Sequence, residues 1–231
     1  MNQTKHWQKI YLSGFLTITL FLVIIFIYNF LSIPSNSIWN DQILAINLAK
    51  DILGGDFPLV GYLHSNGMHS FPAFYYFITP LVYISENPEF LYWSVAIINT
   101  IGVIIVALYI LKKFNFKEHV IYLLFSGTHV LTLFYSSFFW NPNYTPFLMS
   151  LFLITIFKIL EKKSVIYFHT AGILINIIIQ MLPQSIILIP SFIFILFIFR
   201  KLPSLFNQLV HLCIQLILVY PWIHYHSFIF N

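Results

Sequence analysis

Charge and cysteine are what this sequence has least of. Charged side chains make up 8% of its 231 residues, against about 25% in ordinary soluble domains. Hydrophobic residues make up 59%, and the mean hydropathy is +0.86. A fold in water would leave far too much apolar surface uncovered, which excludes a soluble globular domain and makes lipid the solvent. The single cysteine, Cys213, lies within an apolar run, so neither a disulfide framework nor a thiolate metal site is available. No phosphate-cradling glycine loop is present. No cytoplasmic region is large enough for a nucleotide-binding domain, so a donor substrate is expected to come from the lipid or from the outer space. The net charge of +4 arises from basic clusters at the ends of apolar runs, and this excludes a nucleic-acid footprint.

What is there is a series of apolar runs, each near the roughly 20 residues needed to cross a bilayer. They cover 10–31, 91–111, 120–139, 145–160, 165–181, 185–199 and 205–221. The stretch 165–199 is too long for one span and is interrupted at Leu182-Pro183-Gln184, where proline removes a backbone donor. Lys162 and Lys163 before it and Arg200 and Lys201 after it put both ends on the cytoplasmic side, so it reads as two short helices. The fold class expected is all-α: a single polytopic membrane domain over 1–231, with about seven spans and the N-terminus cytoplasmic. In that topology every Lys and Arg except Lys50 lies at a cytoplasmic end, while Asp41, Asp51, Asp56, Glu86 and Glu89 lie outside. The first run is longer than a signal peptide's apolar region and has no small-residue cleavage site after it, so it reads as a retained anchor.

The long outer loop, 34–90, is the segment most suited to function, because the other connections are short. Asp41 to Leu53 reads as an amphipathic helix with Leu44, Leu48 and Ile52 on one stripe and Asn47, Lys50 and Asp51 opposite. Gly54-Gly55 ends it. Phe71 to Ile84 is too short for a span, and its tyrosines suit the membrane interface. Both segments are expected to lie along the outer surface.

Few residues here can carry chemistry. Asp41 follows Trp39-Asn40 at the outer boundary, where a carboxylate can meet both a lipid headgroup and an aqueous acceptor; equally, it can simply cap the amphipathic helix. Trp140-Asn141-Pro142-Asn143-Tyr144 has the composition of an ordinary interfacial turn, and its amides and aromatic faces also suit a carbohydrate. His64 and His69 in the loop, and His224 and His226 after the last span, have no spacing diagnostic of a metal, and none is expected. His129, His169, His211, Asn176, Gln180 and Gln215 are expected to hydrogen-bond within the helix bundle.

The order of these parts resembles the GT-C type membrane glycosyltransferases, in particular the bacterial relatives of the dolichyl-phosphate-mannose protein mannosyltransferases. The stretches that carry the resemblance are Trp39-Asn40-Asp41-Gln42, Asp51 to Gly61, Phe71 to Pro80, Asn87-Pro88 and Trp140 to Asn143. The resemblance implies transfer of a sugar from a polyprenyl-phosphate donor to an acceptor at the outer face of the bacterial cytoplasmic membrane, with no separate cofactor. It implies Asp41 as general base, and a substrate cavity lined by Gln42, Lys50, Tyr75, Tyr76, Trp140, Asn141 and Asn143. The chain departs from the family pattern at Ser136-Ser137, where relatives often have arginine, and at Leu182, where they often have histidine. The family's chains also contain further spans. The resemblance thus carries three expectations for this module: that it is truncated, that it is completed by a second membrane subunit, or that it binds lipid carriers without catalysis. A transporter, the remaining class, would place polar groups along the midplane.

Overall fold

The structure, a computed structural model, describes residues 2–32, 40–63, 69–128, 139–162, 164–225 and 227. Regular structure among these residues is helical, apart from one isolated bridge between Leu63 and His69. The helices are α1 (Asn2–Ser32), α2 (Asn40–Leu53), α3 (Ala73–Ile84), α4 (Pro88–Lys113), α5 (Phe116–Thr128), α6 (Thr145–Glu161), α7 (Val165–Met181), α8 (Leu188–Ile198) and α9 (Leu205–His224). Short 3-10 helices at Asn141–Tyr144 and Pro183–Ile187 lead into α6 and α8. Among the described residues three segments are long and apolar enough to cross a membrane: Pro88–Lys113, Asn141–Glu161 and Leu205–His224. The runs expected at 10–31, 165–181 and 185–199 are helical too, while only the first part of 120–139 falls within the described residues.

The chain divides into two compact units, residues 1–37 with 88–150, and 38–87 with 151–231. In the first unit, α1, α4 and α5 pack around Phe21, Ile25, Val103, Ala107 and Leu123. A histidine ties these helices together. His119 of α5 is fully buried, with Nδ1 donating to the Ala107 carbonyl of α4 at 2.8 Å. Its Nε2 faces Thr17 Oγ1 of α1 at 3.2 Å.

In the second unit α2 packs on α3, which in turn meets α7. The buried face of α2 is Gln42, Ala45, Ile46, Ala49 and Ile52. The expected stripe is therefore corrected. Leu44 is exposed, and the small Ala45 and Ala49 face the neighbour instead. Alanines let two helices approach closely, so α2 buries the side that packs tightest and not the side with the largest residues. Gly54-Gly55 closes α2 as expected. Asp56 N–H donates to the Asp51 carbonyl and Gly55 N–H to the Ile52 carbonyl, with Gly55 at φ +94°. The break at Pro183 also holds: α7 stops at Met181, and Pro183 opens the 3-10 turn.

Candidate functional site

Asp41 lies in the first turn of α2 with its side chain exposed. Gln42, next to it, is buried. Lys50, two turns further on, pairs with Glu86 just beyond α3 at 2.5 Å. Tyr75 and Tyr76 are adjacent on α3 but differ in setting. Tyr75 is fully buried with its hydroxyl 2.7 Å from Ser70 Oγ. Tyr76 is exposed, and its O–H donates to the Pro58 carbonyl at 3.0 Å. Partial burial, and then the negative charge of Asp56, hold the Tyr76 phenol above its ordinary range. Asp41, Lys50 and Tyr76 thus offer surface groups, whereas Gln42 and Tyr75 serve the packing beneath.

The turn at 140–144 belongs to the first unit and is built around Asn99. Asn99 Nδ2 donates to the Asn143 carbonyl at 2.6 Å, and the Phe147 N–H donates to Asn99 Oδ1 at 3.2 Å. One amide therefore fixes both the turn and the start of α6, where backbone donors lack helical partners. Tyr144 is buried with its hydroxyl 2.8 Å from Ser94 Oγ, whose own hydrogen goes to the Leu91 carbonyl. Asn143 is fully buried, Asn141 half-buried and Trp140 exposed. Trp140 is the exposed residue of this turn, and Pro142 is half-buried like Asn141. Asn99 and Ser94 carried no signal in the sequence, because a polar residue inside an apolar run does not declare its partner.

His69, in the segment before α3, is held by its neighbours in the second unit. Its Nδ1 donates to the Gly61 carbonyl at 2.7 Å, its own carbonyl accepts from Trp222 Nε1–H at 3.1 Å, and Nε2 lies 3.5 Å from the Tyr225 hydroxyl. Phe71 stacks on Trp222 with ring centroids 4.6 Å apart. The residues before α3 are thereby fastened to the end of α9. His64 and His226 lie outside the described residues, as do His129 and the departures at Ser136 and Ser137. Among the described residues no group of three or more His, Cys, Asp or Glu side chains is arranged to hold a metal.

The second unit also contains a cavity of about 590 Å³. Its walls come from α7, α8 and α9, with Phe71 and residues of the connecting turns. Of the polar residues expected to bond within the bundle, Asn176, Gln180, His211 and Gln215 line it, and His169 approaches His211. Gln180 Nε2 donates to Asn176 Oδ1 at 2.7 Å, His169 Nδ1 lies 3.3 Å from His211 Nδ1, and Gln215 Nε2 lies 3.3 Å from His211 Nε2. The smaller groove of the first unit, about 270 Å³, is lined by apolar side chains of α1 and α4 with Thr100.

No protein-family model, curated protein or solved structure matches this chain. Function must therefore be argued from its own residues.

Proposed function

We propose that this chain is a polytopic membrane protein of about seven spans that acts as a glycosyltransferase-type module at the outer membrane face. The donor is a polyprenyl-phosphate sugar and the acceptor carries a hydroxyl group. The observation that carries this reading is the setting of Asp41: an exposed carboxylate in the first turn of a helix whose other face is packed. A base anchored on a packed element is held more firmly than one on a loop. In the reaction the acceptor oxygen attacks the anomeric carbon and gives its proton to the Asp41 carboxylate. The bond from that carbon to the phosphate oxygen breaks, and polyprenyl phosphate leaves with the electron pair. On the same unit, Lys50 supplies a surface ammonium, and the Tyr76 hydroxyl oxygen, whose hydrogen goes to Pro58, supplies an acceptor.

A second reading is favoured by one specific contact. A departing phosphate calls for a cation, and Lys50 already has Glu86 as its partner. That arrangement suits a protein that binds lipid carriers, or a second membrane subunit, without transferring sugar.

The two readings part on one assay. With radiolabelled polyprenyl-phosphate sugar in reconstituted membranes, the transferase reading expects measurable transfer that Asp41→Asn lowers at least 100-fold, in line with loss of a general base. Transfer unchanged by Asp41→Asn removes this carboxylate from the chemistry. No transfer by the intact chain with any carrier, together with copurification of another membrane chain, leaves the binding reading.

A further inference from the structure

The cavity of the second unit is not a simple groove for bilayer tails. Most of its wall is apolar, yet Asn176 and Gln180 of α7 and Gln208, His211 and Gln215 of α9 line it as well. Spacings of three and four residues put each set on one face of its helix. Amide and imidazole groups facing only hydrocarbon are costly, so this stripe calls for a polar counterpart.

Bonds within the protein satisfy part of the stripe. Gln180 Nε2 donates to Asn176 Oδ1 and toward the Leu218 carbonyl. If Gln215 donates to His211 Nε2, then His211 Nδ1–H donates to His169 Nδ1, and the relay closes with both rings neutral. This leaves the Asn176 amide nitrogen and the carbonyl oxygens of Gln180 and Gln215 without further bonds among the described residues. Donors and acceptors are thus both available from the same wall. No lysine, arginine, aspartate or glutamate lines the cavity.

We infer that this cavity binds an uncharged amphipathic lipid, one whose hydrocarbon body carries a hydroxyl or carboxamide group. The volume of about 590 Å³ falls within the roughly 300–1,000 Å³ of small-molecule sites. A hydroxyl or amide both gives and accepts hydrogen bonds, which matches the mixed capacity of Asn176, Gln180 and Gln215. A phosphate or carboxylate would be buried against walls with no cation, and an ammonium against walls with no carboxylate; both are disfavoured. A bare acyl tail would leave the amides unanswered. This ligand is chemically distinct from the anionic carrier proposed at Asp41, and the inference stands independently of that reaction.

The test uses the full chain in phosphatidylcholine nanodiscs and two photoreactive probes with the same diazirine-bearing acyl chain. One probe is a monoacylglycerol and the other its glycerol phosphate. After illumination, labelled residues are located by mass spectrometry. The uncharged probe is expected to label α7 and α9 at least about tenfold more than the phosphate probe, since burying an unpaired charge outweighs the roughly one hydrogen bond to which a tenfold ratio corresponds. Unlabelled monoacylglycerol is expected to compete. Asn176→Leu with Gln215→Leu, which keeps bulk but removes both amides, is expected to abolish this preference. Equal labelling of the unaltered chain by both probes overturns the proposal and leaves a tail groove. So does stronger labelling by the phosphate probe. Because the head-group comparison is made on the unaltered chain, it decides the matter even if the double variant does not fold.

Discussion

The imidazole of His211 occupies the space that a side chain at position 172 would need. A Cβ on Gly172 would fall 1.8 Å from His211 Cε1 and 2.0 Å from Nε2. The glycine on α7 is a notch, and the histidine on α9 fits into it.

Gly172→Ala is therefore expected to push the His211 ring out and to break its contacts with His169 and Gln215. The cost is about 1–2 kcal/mol, that of disturbing half-buried polar partners, and it appears as a lower thermal midpoint in detergent. In a His211→Ala background the same change is expected to cost much less, because the clash has gone. Equal costs in the two backgrounds would show that the two residues are not coupled.

His119→Ala removes a buried ring and leaves the Ala107 carbonyl without its partner. The expected loss is on the order of 3 kcal/mol, combining an unfilled cavity with an unmade hydrogen bond. Thermal unfolding followed by intrinsic fluorescence measures it. A midpoint within error of the unaltered chain would mean that α1, α4 and α5 do not depend on this ring.

The ion pair between Lys50 and Glu86 is open to solvent, with side chains 41% and 60% exposed. Surface pairs of this kind contribute at most about 1 kcal/mol, so Glu86→Gln is expected to leave stability almost unaltered. Its effect falls on binding. Releasing Lys50 is expected to tighten association with polyprenyl phosphate several-fold at low salt, and Lys50→Gln to weaken it. Titration of the carrier into nanodiscs at two ionic strengths reports both. No response to either substitution would take Lys50 out of the substrate surface.

Acid sensitivity is expected at the start of α5. Glu118 accepts from the Asn115 backbone N–H at 3.1 Å, across a helix start. Backbone hydrogen bonding holds the Glu118 carboxyl below its ordinary range, with the Asn115 side chain and Lys117 assisting. Since the folded value is depressed, the stabilisation is complete above the unfolded value of about 4.3 and disappears as pH falls through the lower folded value. Glu118→Gln should thus be less stable than the unaltered chain at pH 7 and indistinguishable from it in strong acid. A difference that persists unchanged into acid would contradict the assignment.

The ends of the helices were legible from sequence because composition enforces them. The run at 145–160 appears as Thr145–Glu161, 165–181 as Val165–Met181, and 205–221 as Leu205–His224. The first stops just before Lys162 and the second just before Pro183, whereas the third runs on through Pro221 to His224; within an apolar run the backbone has little alternative in lipid. The face that α2 buries was not legible. Leu44 is more hydrophobic than Ala45, yet fit against α3 decides the outcome. The same holds for His119, Asn99 and the notch at Gly172, each of which acquires its role from a partner distant in sequence. Asp41 was legible as an exposed carboxylate at a helix start, whereas Gln42 and Tyr75, chosen with it, turn inward.

Trp222 donates to the His69 carbonyl, a bond between residues 153 positions apart. During synthesis the ribosome releases the segment around His69 long before it makes α9. The segment around His69 must then wait, without its final clasp, until Trp222 has emerged. Completion of the surface around His69 thus waits on residue 222, and a nascent chain stopped short of it would carry that segment unfastened.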